Sequence, residues 1–276
     1  MTDAALELVL RRDRVVVLAA LGALAALAWA YVLWLAATMD ADHAAMPDMS
    51  VMGMSGMDMA EMVGPSLRGW GATELAFMFA MWAIMMAGMM LPSAAPMVLI
   101  YARVARQAQA RHKPFAATAW FAGGYLLAWT IFALVATVVQ WLLEQALLLT
   151  PMIMSASTAL GGAILFATGV YQWTPLKDTC LSQCQSPLLF IQRHGGFHRE
   201  PRAALRLGTE HGLYCIGCCW ALMALLFVGG VMNVLWIAGI AILVLVEKIT
   251  PAGRWIARIT GAAFVGAGAW LLALSS

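Results

Sequence analysis

The stretch ELAFMFAMWAIMMAGMMLPSAAPM, residues 74–97, has no charged side chain after Glu74 and carries seven of the chain's 20 methionines. An α-helix needs about 20 apolar residues to cross the hydrocarbon core of a bilayer. The stretch is long enough to meet that requirement without interruption. It therefore predicts a transmembrane helix and makes the chain an integral membrane protein.

The composition of the whole chain supports the same conclusion. Hydrophobic residues make up 63% of the 276 residues and charged residues only 11%, against about 25% charged in an ordinary soluble domain. So few charges cannot cover the surface of a soluble protein, which excludes a soluble enzyme. The net charge of +2 is too small to indicate a nucleic-acid partner.

Further uncharged runs predict more spans on both sides of this stretch. The run from residue 211 to 246 is too long for one helix, and Gly229-Gly230 followed by Asn233 predicts a turn that divides it. The first run exceeds the apolar region of a cleavable signal peptide, so we expect it to be retained. Seven transmembrane helices are therefore predicted, because the run 211–246 contributes two helices and each other run contributes one. The uncharged runs are 15–39, 75–102, 114–143, 145–176, 211–246 and 259–276.

Basic residues orient these helices, because Lys and Arg accumulate on the cytoplasmic side. With seven helices and the N-terminus inside, 15 of the 16 basic residues lie inside and only Arg68 lies outside. The sequence thus predicts an all-α, multi-pass helical bundle in the bilayer of the bacterial inner (cytoplasmic) membrane, with its C-terminus outside. We divide it into the first helix (1–38), an external loop (39–71) and a six-helix domain (72–276).

The predicted external loop is rich in methionine and otherwise consists mostly of small or polar residues, so it cannot build a core. Thioether sulfur is a soft, neutral ligand that selects Cu(I), and it does not form disulfides in an oxidising compartment. We therefore predict an arm that captures Cu(I) or Ag(I). A disordered linker and an oxidant sink based on methionine sulfoxide are the alternatives. The candidate ligands are His43, Met46, Met49, Met52, Met54, Met57, Met59 and Met62.

The methionines of the second helix fall on one half of its surface at 100° per residue. Those that repeat at four-residue steps place a sulfur about every 6 Å along the helix. Spaced-Met helices of this kind resemble those of the eukaryotic high-affinity copper transporters, a likeness that covers this helix alone. A path of soft ligands through the membrane is one interpretation, and ordinary apolar packing is the other. The path would consist of Met78, Met81, Met85, Met86, Met89 and Met90.

All five cysteines fall on the predicted cytoplasmic side, where a reducing environment argues against structural disulfides. Four donors in the fifth helix have the spacing i, i+4, i+7, i+8 and share one face, and a Cys-x-x-x-Cys pair precedes them. Thiolates suit both Cu(I) and Zn(II), but zinc binds thioethers poorly, so the external arm favours copper. The predicted metal ligands are Cys180, Cys184, His211, Cys215, Cys218 and Cys219.

Other ionisable residues give weaker signals. His194 and His198 are interpreted as solvated or as an auxiliary site, and Glu247-Lys248 as an ion pair at the membrane edge. No Ser/His/Asp set, paired carboxylates or nucleotide-binding motif is present in the sequence. The sequence therefore predicts no catalytic residues, and it predicts transport driven by gradients or by trapping.

Several motifs resemble a bacterial family described as predicted metal-binding integral membrane proteins of unknown function. The resemblance covers about residues 72–274 and implies metal binding within a membrane domain, without a mechanism. The motifs that carry it are Trp82-x-x-Met85-Met86 through Met90-x-Pro92-x-x-x-Pro96, Tyr171-Gln172-Trp173-Thr174-Pro175-Leu176-Lys177-x-x-Cys180-Leu181-x-x-Cys184-x-x-Pro187, Gly212-x-x-Cys215-x-Gly217-Cys218-Cys219-Trp220-x-Leu222-Met223 and Glu247-Lys248.

Taken together, these features predict a protein that captures Cu(I) outside and passes it to an inner Cys/His site. Transport and delivery to copper enzymes both fit, with a periplasmic copper carrier or a copper enzyme under assembly as partner. The alternatives are a membrane thiol–disulfide carrier, a metal or haem oxidoreductase, and a structural subunit of a membrane complex. Zinc is the alternative metal for the cysteine site.

Overall fold

The computed structural model describes residues 3–44, 71–110, 118–146, 148–149, 157–197 and 200–275. Within these residues there are ten helices and no β-strand, which confirms the all-α prediction. The helices are α1 (Asp3–Ala44), α2 (Ala72–Ala110), α3 (Thr118–Gln145), α4 (Thr158–Tyr171), α5 (Pro175–Gln185), α6 (Pro187–Arg193), α7 (Pro201–Ala224), α8 (Leu226–Gly229), α9 (Val234–Ile249) and α10 (Gly253–Ser275).

Within the described residues, five segments are long and apolar enough to cross a membrane, which is consistent with the predicted membrane protein. The fourth predicted span differs from expectation, because α4 has only 14 residues instead of a run that begins near Gln145. At 1.5 Å per residue it covers about 21 Å, less than the ~30 Å of a bilayer core. The five segments are Val15–Thr38, Ala72–Arg106, Thr118–Gln145, Pro201–Gly229 and Gly253–Ser275.

The helix α1 lies at the edge of the bundle and packs mainly on α2. The two helices approach closely at Gly88, where an added Cβ would lie 3.0 Å from the Ala28 side chain. The opposite face of α1 exposes large apolar side chains such as Leu27 and Trp34, as expected for a helix that faces lipid. The helix continues to Ala44, six residues beyond the predicted end of the first span at residue 38.

Glycines bring α3 and α7 into backbone contact at the centre of the bundle. A Cβ on Gly124 would collide with the Leu205 carbonyl oxygen, and a Cβ on Gly208 would collide with the Phe121 carbonyl oxygen. Small residues allow this close approach of helices where no hydrophobic effect drives association in lipid. The result is that α7 is more deeply enclosed by protein than any other of the five apolar segments.

Two polar caps define the short helices that lead into and out of this centre. Thr174 accepts a hydrogen bond from Lys177 N and begins α5, with Pro175 in the first turn, a favourable N-terminal arrangement. Gly230 has φ +91°, which only glycine adopts without strain, and Asn233 caps α9 by accepting from Trp236 N. The predicted turn after Gly229 is confirmed, and it directs α9 back along the bundle.

Candidate metal centre

The helix α7 presents the predicted donors along its buried face. His211, Cys215, Cys218 and Cys219 are all at most 3% exposed, and the helix is continuous from Pro201 to Ala224. The sequence spacing therefore becomes one row of side chains directed into the bundle, as expected for positions i, i+4, i+7 and i+8.

A second pair of thiols reaches this row from α5. Cys184 Sγ lies 3.9 Å from Cys218 Sγ, and the Cys184 thiol also interacts with Cys215. Cys180 faces α7 beside Gly217, where an added Cβ would lie 2.7 Å from the Cys180 sulfur. Burial raises the pKa of Cys180, which disfavours its thiolate form.

The thiols differ in their hydrogen bonds. Cys218 and Cys219 donate to the Cys215 carbonyl oxygen at 3.1 Å and 2.9 Å. Cys215 Sγ instead accepts from Lys248 Nζ at 2.8 Å and lies 3.1 Å from the Tyr125 hydroxyl. A sulfur that receives a charged donor is suited to the thiolate form, which is the form that binds metals.

His211 is enclosed by aromatic rings. Its ring centroid lies 5.1 Å from that of Phe190 and 5.9 Å from that of Tyr125. Its Nδ1 is buried and makes no hydrogen bond within the described part of the chain. Buried polar atoms are usually paired, so this unpaired nitrogen, one helical turn from Cys215, is a candidate position for a ligand.

Lys248 is a residue of this site that the sequence analysis placed incorrectly. We expected an ion pair with Glu247, but neighbours on a helix point about 100° apart, and Glu247 pairs with Lys177 at 2.6 Å instead. The Lys248 ammonium enters the thiol cluster from α9, near Cys215, Cys219, Met90 and Ser93. One signal was available in the sequence, because no acidic residue lies three or four positions from Lys248 in its helix.

The methionine stripe of α2 lies inside the bundle. Met90 Sδ, at one end, is 3.9 Å from Lys248 Nζ, and Met78 Sδ, near the start of the helix, lies 3.7 Å from Gln140 Nε2. Pro92 and Pro96 do not interrupt the helix. The Met90 sulfur and the Cys215 sulfur both approach the Lys248 ammonium, which connects the stripe to the thiol cluster, although burial is also what apolar packing would produce. The fully enclosed members are Met81, Met85, Met86, Met89 and Met90.

Of the remaining candidate ligands, only His194 has a described side chain, and it does not join this cluster. His194 lies in the turn after α6, where Nδ1 is 2.8 Å from the Phe190 carbonyl oxygen and the ring stacks on Phe190. His198 lies outside the described residues, as do the side chain of His43 and the predicted capture set Met46, Met49, Met52, Met54, Met57, Met59 and Met62.

The thiols gather but do not form a preassembled multidentate site. Within the described segments, no group of three or more His, Cys, Asp or Glu side chains stands ready to hold a metal ion. The donor chemistry nevertheless fits one ion well, since Cu(I) prefers thiolate and thioether ligands and accepts a linear pair of thiolates. Cys184, Cys215, Cys218 and Cys219, with Met90 beside them, supply that chemistry.

Comparison with known proteins assigns the chain to a family. Residues 79–271 match the profile of the PpoB2 copper chaperone family, a range that includes the methionine stripe from Met81 onward, all five cysteines and Lys248. Searches of curated proteins and of solved structures gave no significant match. The match replaces the broader resemblance to predicted metal-binding membrane proteins with a copper-specific one. It covers well over half of the sequence, and the chain therefore belongs to the PpoB2 copper chaperone family.

Proposed function

We propose that this protein is a copper chaperone of the bacterial inner membrane that binds Cu(I) as cargo at the thiol cluster between α5 and α7. One observation carries the proposal: four cysteine side chains of two helices interact with one another next to Met90, the end of a buried methionine stripe. Membership in a copper chaperone family supports copper as the ion. A chaperone binds and releases its cargo, and this account assigns no catalytic residue.

The ligands that we assign to Cu(I) are Cys184, Cys215, Cys218 and Cys219, with His211 and Cys180 in supporting positions. Thioethers bind Cu(I) as neutral ligands and thiolates bind it as anions, so the ion gains affinity when it passes from methionine to cysteine. That gradient of affinity favours transfer toward the cysteines without an energy-coupling domain, whereas delivery outward requires a partner that binds Cu(I) more tightly than they do. Met78, Met81, Met85, Met86, Met89 and Met90 would carry the ion toward the cluster.

The external part of the route rests on the sequence alone. In the seven-helix topology, His43 and the methionines from Met46 to Met62 face the periplasm and collect Cu(I) there. A periplasmic copper carrier would supply this arm, or a copper enzyme under assembly would receive copper from it. If a carrier supplies the arm, the thiol cluster is where the copper arrives. If an enzyme receives copper from the arm, the thiol cluster stores the copper before delivery.

Elemental analysis of the purified full chain tests the proposal. The native protein and a variant with all five cysteines changed to Ser are prepared anaerobically from cells grown with added copper and zinc. We expect copper in the native protein and its loss from the variant. Glu210→Gln is the matched control, because Glu210 pairs with Arg206 on the partly exposed side of the same helix and should leave copper content unchanged.

A native protein without copper would contradict the proposal, and zinc in place of copper would retain the cysteine site but separate it from the methionines. Folding is followed in parallel by size-exclusion chromatography in detergent. Copper loss counts as ligand loss only where the variant elutes as the native protein does. A five-cysteine variant that retained full copper content would place the ion elsewhere.

A membrane thiol–disulfide carrier is the second candidate, and it is favoured by the 3.9 Å separation of the free Cys184 and Cys218 sulfurs. Oxidation of this pair would release two electrons and two protons to a thioredoxin-like disulfide. Trapping of a mixed disulfide between Cys184 or Cys218 and such a partner would support it. Copper retention by a Cys184→Ser/Cys218→Ser variant together with such trapping would favour the carrier over the chaperone.

A further inference from the structure

The ammonium group of Lys248 is buried among sulfur atoms and a hydroxyl group. Its Nζ lies 2.8 Å from Cys215 Sγ, 3.3 Å from Ser93 Oγ, 3.9 Å from Met90 Sδ and 4.0 Å from Cys219 Sγ. Within the described residues, no carboxylate lies within ion-pair distance of it. A charge taken out of water without an anion is strongly unfavourable, so this lysine requires a specific explanation.

The position of Lys248 is fixed by its neighbour. Glu247 bonds to Lys177 through one carboxylate oxygen and to Gln172 through the other, at 2.6 Å and 3.1 Å. Gln185 donates to the Glu247 and Thr250 carbonyl oxygens and anchors the end of α9 on α5. These contacts hold α9 so that the next residue, Lys248, is directed at α7 and α2.

The charge of a Cu(I)–thiolate complex provides the explanation. When Cu(I) binds two cysteines, two S–H bonds are replaced by two Cu–S bonds, both protons leave to water, and the complex carries one negative charge. A buried anion needs a nearby cation or hydrogen-bond donors. Lys248, in contact with Cys215 and close to Cys219, supplies one positive charge and makes the loaded site neutral.

We propose that Lys248 is the counter-charge of the copper site and the residue that selects a monovalent ion. The inference rests on the proposed function, because it assigns a role within the same thiol cluster. A divalent ion on the same two thiolates would leave one uncompensated positive charge beside the ammonium. Cu(I) and Ag(I) are therefore favoured over Zn(II) by charge as well as by ligand softness.

The location of Lys248 also fits transfer from the stripe. The ammonium approaches both Cys215 Sγ and Met90 Sδ, the last thioether of the proposed path. An ion that leaves the neutral methionines forms an anionic complex only at this point. The counter-charge therefore stands where the thioether complex becomes a thiolate complex.

Affinity measurements on the purified full chain test this role. Cu(I) and Ag(I) affinities are determined anaerobically by competition with a chromophoric chelator, and Zn(II) affinity is determined in the same way. Lys248→Met removes the charge at similar volume, Lys248→Arg retains it, and Lys248→Gln retains a hydrogen-bond donor without charge. Elution and thermal unfolding in detergent establish that each variant is folded.

We expect Lys248→Met and Lys248→Gln to lower Cu(I) and Ag(I) affinity at least about tenfold, a modest part of the cost of leaving a buried charge unpaired. The ratio of Cu(I) to Zn(II) affinity should fall with them, which a purely structural lysine would not cause. Lys248→Arg should stay within about threefold of the native protein, since it keeps the charge.

The outcomes separate this inference from the proposed function. If the native protein binds Cu(I) through its cysteines and both uncharged variants match its affinity and selectivity, the counter-charge role is wrong while the chaperone proposal stands. If the native protein binds no Cu(I), both are wrong. If Lys248→Met does not fold, Lys248→Gln is judged by the same criteria. If Lys248→Arg loses affinity as strongly as the uncharged variants, charge is not the cause.

Discussion

Lys177 and Lys248 are both buried in this bundle, but they meet opposite kinds of partner. The Lys177 ammonium lies 2.6 Å from a carboxylate oxygen of Glu247, whereas the Lys248 ammonium lies 2.8 Å from the sulfur of Cys215. The first arrangement is complete as it stands, because one positive charge faces one negative charge. The second is completed only when the sulfur carries charge, as it does in a thiolate or a metal complex. The comparison separates a charge that is paired within the protein from a charge that we propose to compensate a bound anionic complex.

The same contrast extends to the helices that carry these residues. Glu247, between α5 and α9, also accepts from Gln172, so every charged group of that contact has a protein partner. Around Lys248 the neighbours come from α2 and α7 and are sulfur or hydroxyl groups. One turn of α9 thus carries an ion-paired residue on one face and, on the other, the residue that we propose to be the counter-charge of the copper site.

The largest expected effect on stability comes from removing the carboxylate of the Lys177–Glu247 pair. Glu247→Gln leaves Lys177 buried without an anion, which costs about 3–5 kcal/mol in comparable buried pairs. Thermal and denaturant unfolding in detergent should show a large loss of stability. The control Glu210→Gln breaks a pair with an exposed arginine and should cost no more than about 1 kcal/mol.

Equal stability of these two variants would contradict the structural role of the Lys177–Glu247 pair. Lys177 would then no longer be a structural counterpart with which Lys248 can be compared. Because Glu247 precedes Lys248, copper affinity should be measured only on the fraction of Glu247→Gln that remains folded.

Bound copper should stabilise the folded protein at the cysteine cluster around Lys248. A ligand at 100 times its Kd stabilises the folded state by about 2.7 kcal/mol, so Cu(I) should raise the Tm of the native chain. Cys215→Ser should abolish most of this shift because Cys215 contacts Lys248, Tyr125 and Cys184. Cys180→Ser should retain most of it, since Cys180 faces Gly217 at the margin of the cluster.

An equal loss of the copper-induced shift in both cysteine variants would mean that the cluster extends over all five thiols. A shift that persisted in Cys215→Ser would remove Cys215 from the site. Scanning calorimetry or dye-free fluorescence in detergent, with and without Cu(I), provides the measurement.

A smaller effect is expected from the contact between α5 and α7. Gly217→Ala introduces a Cβ that would lie 2.7 Å from the Cys180 sulfur, and such overpacking costs roughly 1–3 kcal/mol. We expect the lower end, because the sulfur can rotate away. Gly266→Ala is the control, since an added Cβ there has no neighbour within 4 Å, and it should not reduce stability.

Copper affinity should fall in Gly217→Ala if α5 must lie close to α7 to deliver Cys184. Unchanged affinity at reduced stability would show that Cys184 reaches its partners without this close approach. Both quantities are measured on the same preparations.

Local sequence patterns predicted the all-α character of the chain and the shared helical face of His211 to Cys219, but they could not predict contacts between residues distant in sequence. The spacing from His211 to Cys219 fixes one helical face whatever surrounds it, and Gly230 with Asn233 marks a turn through backbone chemistry alone. Lys248 and Cys215 are 33 positions apart, and only the packing of α9 against α7 brings them together. The shortness of α4 was missed because an uncharged run sets an upper limit to a helix and not its length.

Copper-edge X-ray absorption on the anaerobically loaded full chain tests the central claim most directly, because it identifies the atoms around the ion. The account predicts Cu(I) with a first shell of sulfur in the native protein, and loss of bound copper in the variant with all five cysteines changed to Ser. A first shell of nitrogen and oxygen alone in the native protein, or a sulfur shell that persists without the cysteines, would contradict it.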